Sequence, residues 1–179
     1  MTKDKKEKRI LPKIVIMRGL PGSGKSTKVK ELIEAAKKDK KSVVVCSADD
    51  HHIDKETGEY RYVKSRAGQA HQSCFYKAHS AVYEKTDIVI IDNTNISISE
   101  MNVYFDLHKM GYTVEIVDMH EDLFKKKGVK FTKSLLDELT KRNVHKVPEE
   151  TIKKMSSNYF WYDIELHPKM GTPYKIVRR

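Results

Sequence analysis

The chain has 179 residues, of which 39% are hydrophobic and 34% charged, and this balance predicts one folded domain with its own core rather than a disordered chain. Its 35 Lys and Arg against 25 Asp and Glu give a net charge of +10, which fits a polyanionic partner such as nucleic acid and fits lysine-rich solubilising faces equally well. No apolar run approaches the ~20 residues of a membrane helix, so we expect no membrane-spanning segment and no membrane partner.

The N-terminal residues, MTKDKKEKR, are charged and lack the apolar region of a secretory signal, which predicts an intracellular protein, cytoplasmic or nuclear. We interpret residues 1–12 as a basic tail and residues 13–179 as a single domain. Cys46 and Cys74 lie in a predicted strand and a predicted helix without metal-ligand spacing, so we expect buried, reduced thiols.

Short apolar runs alternate with helical segments through the first half of the chain. Three runs have the near-continuous apolar character of buried strands: Lys13–Met17, Ser42–Ala48 and Asp87–Asp92. Two segments have helical periodicity: one from the glycine-rich loop after the first strand to about Lys38, and one over Arg66–Lys85. The polar segment Asp50–Val63 is predicted to be a loop or a short irregular stretch.

The second half continues this alternation. Ser97 and Glu100 have the spacing of a capping box at the start of a helix that ends at Gly111. The remaining predicted elements are a strand at Thr113–Met119, helices at about Thr132–Arg142 and Pro148–Tyr159, and a short strand at Tyr174–Val177. Pro148 suits the first turn of its helix. The order of elements predicts a three-layer α/β fold with a mainly parallel sheet.

The stretch Gly19–Ser26, GLPGSGKS, has the spacing of a phosphate loop and stands between a predicted strand and a predicted helix. Glycines let backbone amides approach phosphate oxygens, and the helix N-terminus favours the same anions. Lys25 can reach between the β- and γ-phosphates, and the Ser26 hydroxyl can ligate Mg²⁺. The predicted ligand is a nucleoside triphosphate with Mg²⁺. The residues predicted to bind it are Gly19, Leu20, Pro21, Gly22, Ser23, Gly24, Lys25, Ser26 and Thr27.

Carboxylates follow two of the predicted strands, at the edge of the sheet where the phosphate loop lies. Asp49 and Asp50 come just after the second strand. One of them can accept the proton of an acceptor hydroxyl during in-line transfer of the γ-phosphoryl group, or can simply cap the next turn. Asp92 ends the third strand in the position of a Walker-B acid that holds Mg²⁺, and a bond to the turn at Asn93–Asn95 explains it nearly as well.

Four motifs in order, RGLPGSGKST, CSADD, VIIDNTN and LTKRNVHKVPEE, resemble the polynucleotide-kinase family of phosphate-loop phosphotransferases. The resemblance covers Ile14–Tyr159 and is closest to the kinase-like domains of large eukaryotic repair or endonuclease-type proteins. The chain is also similar to the N-terminal domain of the vertebrate myelin cyclic-nucleotide phosphodiesterase. The resemblance implies an adenylate-kinase-like fold with a helical lid at about 125–150. It also implies transfer of phosphate from ATP or another triphosphate to the 5′-hydroxyl of RNA or DNA.

The resemblance implies roles for individual residues as well. Asp49 matches the general base, Lys25 and Ser26 match the phosphate and magnesium ligands, and Arg142 matches a lid arginine that closes over the nucleotide. An arginine in a mobile segment also suits this task chemically, whereas the simpler explanation of Arg142 is a cation at a helix C-terminus.

The sequence also departs from the family pattern on the acceptor side. The viral and animal repair kinases have an arginine just before the base, and the viral kinases have another three residues after it. This chain has Ala48 and His52 at those positions. A second lid arginine is missing, and His145 and Lys146 lie nearby. Candidate replacements are His51, His52, Arg61 and Arg66.

Other patterns are weaker. No His-Glu-x-x-His motif points to catalytic zinc. The phosphodiesterases that resemble this family carry two His-x-Thr/Ser motifs in a separate domain, and the single match here, His71-Gln72-Ser73, argues against cyclic-phosphate hydrolysis. We expect Tyr159–Tyr162 to form core or an oligomer contact rather than to stack on bases. We expect Lys125–Lys127 to be a solvated face, and a phosphate-binding track before the lid is the alternative. Two alternatives to a polynucleotide kinase stay open: a kinase for a small metabolite or nucleotide sugar, and an ATP-binding module without transfer activity.

Overall fold

Five strands form the centre of the domain: β1 (Lys13–Arg18), β2 (Val43–Cys46), β3 (Ile88–Asp92), β4 (Thr113–Asp118) and β5 (Tyr174–Val177). The computed structural model describes residues 11–124, 131–159 and 174–177. The strands lie in the order β2-β3-β1-β4-β5, and every pairing among them is parallel. The prediction of a mainly parallel sheet is therefore confirmed. The carboxyl ends of β1, β2 and β3 meet at one edge of this sheet, which is where ligands bind in such folds.

The helices of the described residues are α1 (Lys25–Lys38), α2 (Ala67–Tyr83), α3 (Ile98–Phe105), α4 (Glu121–Phe124), α5 (Lys133–Arg142) and α6 (Glu149–Ser157). Short 3₁₀ turns occupy Asp49–His52, Lys64–Arg66 and Asp106–Met110. Among the described residues, no helix combines the length and the apolar character needed to cross a bilayer. Within these ranges, each predicted helix and strand is present within a few residues of its expected bounds.

Alternate residues of β1 point to opposite faces of the sheet and separate two cores. Ile14 and Ile16 pack in the cluster that includes α2 and α3, whereas Val15 and Met17 pack with α1. This arrangement gives the expected three layers. Cys46 and Cys74 are buried free thiols in the first of these cores, as predicted, and burial raises the pKa of Cys46 to about 12.

A buried ion pair joins the ends of β1 and β4. Arg18 donates to Asp118, and both side chains are fully buried. The guanidinium lies 3.7 Å from the ring centroid of Tyr159, whose hydroxyl donates to the other oxygen of Asp118 at 2.7 Å. Arg18 also donates to the carbonyl of Ile96, so this network fixes the loop that follows β3.

Three local details differ from the sequence predictions. The predicted capping box does not form as expected, because Glu100 accepts from the amide of Ile96 while the Ser97 hydroxyl lies 2.8 Å from that of Ser99. The helix begun there changes to a 3₁₀ turn after Phe105 and ends at Gly111, which has φ of 87°. Pro148 is the residue before α6 rather than part of its first turn.

Several predictions fall outside the described residues. These are the basic tail apart from Leu11 and Pro12, the lid residues 125–130 that include Lys125–Lys127, and the aromatic residues Phe160–Tyr162. Tyr159, the first residue of that aromatic run, is described and is buried in the core.

Candidate active site

The phosphate loop lies between β1 and α1 and is anchored at its start by two hydrogen bonds from the backbone. The amide of Gly19 donates to the carbonyl of Thr94 at 3.0 Å, and the amide of Leu20 donates to Nε2 of His120 at 3.2 Å. Within the described part of the chain, the amides of Gly22, Gly24, Lys25 and Ser26 have no acceptor. The loop therefore offers converging donors for an anion at a helix N-terminus.

Glycine is required at two positions of this loop because neighbouring atoms fill the space of a side chain. Gly22 has φ of +76°, and a Cβ there would overlap the carbonyl oxygen of Leu139 in α5. A Cβ on Gly19 would lie 2.6 Å from the hydroxyl oxygen of Ser23. That hydroxyl is buried and has no hydrogen-bond partner in the described residues. An orphaned polar atom in a tight backbone cradle suits a site that completes its bonds with a ligand.

Lys25 is folded back onto the loop that it follows. Its ammonium donates to the carbonyls of Gly19 and Leu20 at 2.9 and 3.1 Å. Burial lowers the pKa of Lys25, and the charges of Asp92 and Asp49 oppose that shift. The lysine therefore shares its site with the two carboxylates predicted from the sequence.

Ser47 ties together the strand ends that carry these two carboxylates. Its hydroxyl donates to the carbonyl of Asp92 at 2.9 Å and accepts from the amide of Asp49 at 3.2 Å. Asn93 adds a second link, because its side-chain oxygen accepts from the amide of Ala48 at 2.9 Å. These bonds end β2 at Cys46, two residues earlier than the apolar run predicted. They also hold Asp49 beside the end of β3.

The neighbours Asp49 and Asp50 have different surroundings. Asp50 forms an ion pair with Lys77 of α2 at 2.8 Å, and about half of its side chain is exposed. Both carboxylates act electrostatically on Asp92, but only the charge of Asp49 also acts on the pKa of Lys25 in the phosphate loop. The 3₁₀ turn that begins at Asp49 separates the two side chains in this way. Of the pair, Asp49 has the position that a base for phosphoryl transfer needs.

Two side chains that the motifs did not predict engage Asp49. The hydroxyl of Tyr60 donates to Oδ1 of Asp49 at 2.9 Å. Nε2 of His145 lies 3.6 Å from Oδ2, and the rings of Tyr60 and His145 are 4.5 Å apart. His145 follows α5 in the region predicted to be a lid, so this contact joins that region to the proposed base. Only the position of His145, near that of the missing second lid arginine, offered a signal in the sequence.

Arg142, the predicted lid arginine, is the last residue of α5. Its guanidinium pairs with Glu138 one turn earlier at 3.0 Å, and more than half of the side chain is exposed. Nη2 lies 3.8 Å from the position that a Cβ on Gly24 would occupy, so the cation is next to the phosphate loop. The position of Arg142 suits a residue that contacts bound phosphates. It is also the C-terminal position of a helix, as the simpler explanation of this arginine expects.

A hydroxyl and a carboxylate are the ligand types that Mg²⁺ prefers, and Ser26 and Asp92 offer them at this site. Ser26 is exposed in the first turn of α1. Burial raises the pKa of Asp92, with Asp49 and Asp50 adding to the shift and Lys25 opposing it. A buried carboxylate of this kind gains from a nearby cation, so the donor set fits the metal.

The candidate replacements for the missing arginines lie in different environments. His51 is exposed with Nδ1 3.4 Å from the Ser73 hydroxyl, whereas His52 is buried and its Nδ1 has no partner in the described residues. Burial lowers the pKa of His52, and Asp49 opposes this shift. Arg61 and Arg66 are exposed cations beyond the hairpin that carries Tyr60. None of the four forms a hydrogen bond with Asp49 among the described contacts.

The family was determined by comparison with known proteins. A family model described as an AAA domain, AAA_33, matches residues 14–160. The chain belongs to this family. NEDD4-binding protein 2 of Homo sapiens is 34% identical to it over 167 residues, a match that covers 92% of this chain and 9% of that protein. This AAA_33 domain thus spans about a tenth of the length of that curated relative.

Solved structures share the fold of this AAA_33 domain at low sequence identity. A chain of the Pnkp1/Rnl/Hen1 RNA repair complex matches with a TM-score of 0.59 and 17% identity, over 92% of this chain and 49% of that one. APE1195 matches with a TM-score of 0.51 and 16% identity, over 95% and 86%. Family membership, the phosphate loop and the all-parallel sheet of the described strands identify the AAA_33 domain as a phosphate-loop α/β domain.

Proposed function

We propose that this AAA_33 domain transfers the γ-phosphoryl group of ATP to the 5′-hydroxyl of a nucleic acid. The observation that supports this most directly is the position of Asp49. Its carboxylate lies at the end of β2, close enough to Lys25 to act on its pKa, while 45% of its side chain remains exposed to an incoming acceptor. A half-exposed carboxylate opposite a phosphate loop is the arrangement that a phosphoryl acceptor needs.

The chemical step needs few groups. The 5′-oxygen attacks the γ-phosphorus and forms the new P–O bond, while the bond to the β,γ-bridging oxygen breaks and ADP leaves with its electron pair. The hydroxyl proton passes to Oδ2 of Asp49, since Oδ1 already accepts from Tyr60. Lys25 and Arg142 lie where they can stabilise charge on the phosphates. When bound with ATP, Mg²⁺ supplies further charge neutralisation, and Ser26 and Asp92 are the residues that would hold it.

Charge supports a polyanionic acceptor. The chain carries a net charge of +10, and the exposed segment just beyond Tyr60 contains Arg61, Lys64 and Arg66. A neutral metabolite gains little from such a surface, whereas a polynucleotide is attracted to it.

A small acceptor is the second candidate, and a cleft favours it. About 500 Å³ of space opens between the loop after β3 and α6, a size that suits a small molecule. The residues that line it are Thr94, Ile96, Ser97, Glu100, Thr151, Lys154, Met155 and Asn158. Thr94 connects this cleft to the phosphate loop, because its carbonyl accepts from the amide of Gly19.

The decisive experiment supplies γ-labelled ATP together with 5′-hydroxyl RNA, 5′-hydroxyl DNA and a pool of small metabolites, each in a separate reaction. Label on an oligonucleotide supports the proposal, and label confined to a metabolite rejects it in favour of the second candidate.

Asp49→Asn should lower kcat by about 10²–10⁴ while ATP binding persists, because only proton transfer is removed. Asp50→Asn is the matched control, since Asp50 pairs with Lys77 at the surface. Equal losses in the two variants would contradict the assignment of Asp49.

A further inference from the structure

Four aromatic rings form a continuous row that starts at the proposed base. The rings of His145 and Tyr60 are 4.5 Å apart, those of Tyr60 and His52 are 6.1 Å apart, and those of His52 and Tyr62 are 5.0 Å apart. We name this row, His145, Tyr60, His52 and Tyr62, the aromatic path. Its inner end contacts the carboxylate of Asp49 through both Tyr60 and His145.

Backbone hydrogen bonds fix the aromatic path relative to Asp49. Residues 53–60 form a tight hairpin in which Ile53 pairs with Tyr60, and the Asp54 carboxylate accepts from the amides of Glu56 and Thr57 in its turn. The amide of Arg61 donates to the carbonyl of His52 at 2.8 Å. The hairpin is thus attached to the same 3₁₀ turn that begins at Asp49. Rings held in this way can orient a ligand with little loss of conformational freedom.

The outer end of the aromatic path is exposed and bordered by cations. Tyr62, the outermost ring, is 59% exposed. The segment Tyr60–Arg66, YRYVKSR, holds three cations and no carboxylate. Arg61 is 79% exposed and, in the described residues, pairs only with Glu59, which is itself 62% exposed. Exposed rings interleaved with arginine and lysine are the features with which proteins bind single-stranded nucleic acid.

We propose that the aromatic path, with Arg61, Lys64 and Arg66 beside it, is the binding surface for the first nucleotides of a single-stranded acceptor. This inference rests on the proposed function and names the acceptor class for that same site. Bases stack on the exposed rings, and the phosphates that follow the terminal nucleoside meet the cations. A protein partner fits less well, because the path leads to the carboxylate at which the chemistry is proposed to occur.

Binding can be measured apart from catalysis. The test uses fluorescence anisotropy of short single-stranded RNA and DNA with 5′-hydroxyl ends, with the full chain and variants of it. Tyr62→Ala should weaken binding by roughly 5- to 150-fold, the value of one lost stacking contact. Arg61→Ala should reduce the slope of log K against log salt by about 0.7, as one phosphate contact is lost. The KM for an oligonucleotide acceptor should rise in parallel.

Matched controls exist on the same protein. Tyr83 is 81% exposed at the far end of α2, about 25 Å along that helix from its start near the hairpin, so Tyr83→Ala should bind as the wild type does. Lys109→Ala is the control for charge, since Lys109 pairs with Asp106 on the 3₁₀ turn after α3. If Tyr62→Ala and Tyr83→Ala lost oligonucleotide affinity equally, the inference would be overturned.

The outcomes also separate this inference from the proposed function. If oligonucleotides are phosphorylated and Tyr62→Ala binds them normally, the aromatic path is rejected while the kinase assignment stands. If only a metabolite is phosphorylated, the proposed function fails. In that case, weaker oligonucleotide binding by Tyr62→Ala would still support the aromatic path as a binding surface. Unchanged binding by this variant would reject it.

Discussion

The hydroxyl of Tyr60 donates a hydrogen bond of 2.9 Å to Oδ1 of Asp49. Burial raises the pKa of Tyr60, and the adjacent Asp49 charge adds to the shift, so the hydroxyl keeps its proton and remains a donor at any physiological pH. Tyr60 therefore holds Oδ1, whereas Oδ2 lies 3.6 Å from Nε2 of His145, accepts no hydrogen bond among the described residues and is the oxygen that can take a proton from a substrate. Tyr60 is a positioning residue for the proposed base.

Replacing Tyr60 by Phe removes this donor and keeps the ring. We expect kcat to fall by about 10-fold, since a hydrogen bond to a charged group contributes roughly 1.5–3 kcal/mol and only part of that is specific to the transition state. The KM values for ATP and acceptor should hold, because neither the phosphate loop nor the stacking surface has changed. Steady-state kinetics test this, with Tyr83→Phe as control. An unchanged kcat in Tyr60→Phe would contradict the positioning role.

The phosphate loop, the strand before it and the helix after it were predictable because the information is local. Glycine spacing, a lysine and a hydroxyl within eight residues specify both the backbone shape and its ligand. The same holds for α5, where Thr132 accepts from the amide of Leu135 as an N-cap. Such signals lie within one turn of chain, so tertiary packing seldom overrides them.

The surroundings of Asp49 were not predictable in the same way. Tyr60 reaches it through a hairpin that contains the isolated Ile53–Tyr60 bridge, and His145 comes from the distant segment that follows α5. Choosing between Asp49 and Asp50 required knowing where the 3₁₀ turn directs each side chain. Nothing in the apolar pattern showed that Ser47 and Asn93 would end β2 early by bonding across to β3.

Gly22 provides a test of the contact between the phosphate loop and α5. Gly22→Ala places a methyl group against the carbonyl of Leu139 and forces an L residue into φ of +76°. We expect loss of ATP affinity together with a fall in stability, at least the roughly 1–3 kcal/mol typical of a strained backbone position. Isothermal titration with ATP and thermal unfolding measure the two effects.

Gly111→Ala is the control that measures the effect of backbone strain separately from the collision with Leu139. Gly111 has φ of +87°, and no atom of the neighbouring described residues lies within 4 Å of the position that a methyl group would take there, so the variant carries the conformational strain without the collision. ATP affinity should be retained in Gly111→Ala. If both variants lost stability equally and both bound ATP, the tight approach of α5 to the loop would be unimportant.

The buried carboxylate of Asp92 should destabilise the folded domain at neutral pH. Burial raises its folded-state pKa above the unfolded value, so the folded protein binds the proton more tightly and stability declines as pH rises through the folded-state pKa. Asp92→Asn should therefore raise the melting temperature at neutral pH, by about 2–4 °C for each kcal/mol gained. This advantage should vanish as pH falls towards the unfolded pKa of about 3.9. Transfer activity should be lost, as a proposed ligand of Mg²⁺ is removed.

Asp87, the residue before β3, should show the opposite dependence of stability on pH. Hydrogen bonds from the Ser42 hydroxyl and amide lower the pKa of Asp87. Its contribution to stability is present above the unfolded pKa and is lost as pH falls through the folded-state value. Asp87→Asn should thus lower the melting temperature at neutral pH and leave activity intact. Identical pH profiles for the two variants would show that burial does not govern Asp92.

The buried network at the ends of β1 and β4 should behave as one unit. Asp118→Ala leaves the Arg18 guanidinium buried without its carboxylate, which costs about 3–5 kcal/mol, whereas Tyr159→Phe removes one hydrogen bond to that carboxylate and costs about 1.5–3 kcal/mol. Because both variants remove interactions of the same carboxylate, the double variant should lose less than the sum of the single losses. Urea unfolding of the three proteins measures this. Additive losses would mean that Tyr159 stabilises the fold independently of Asp118.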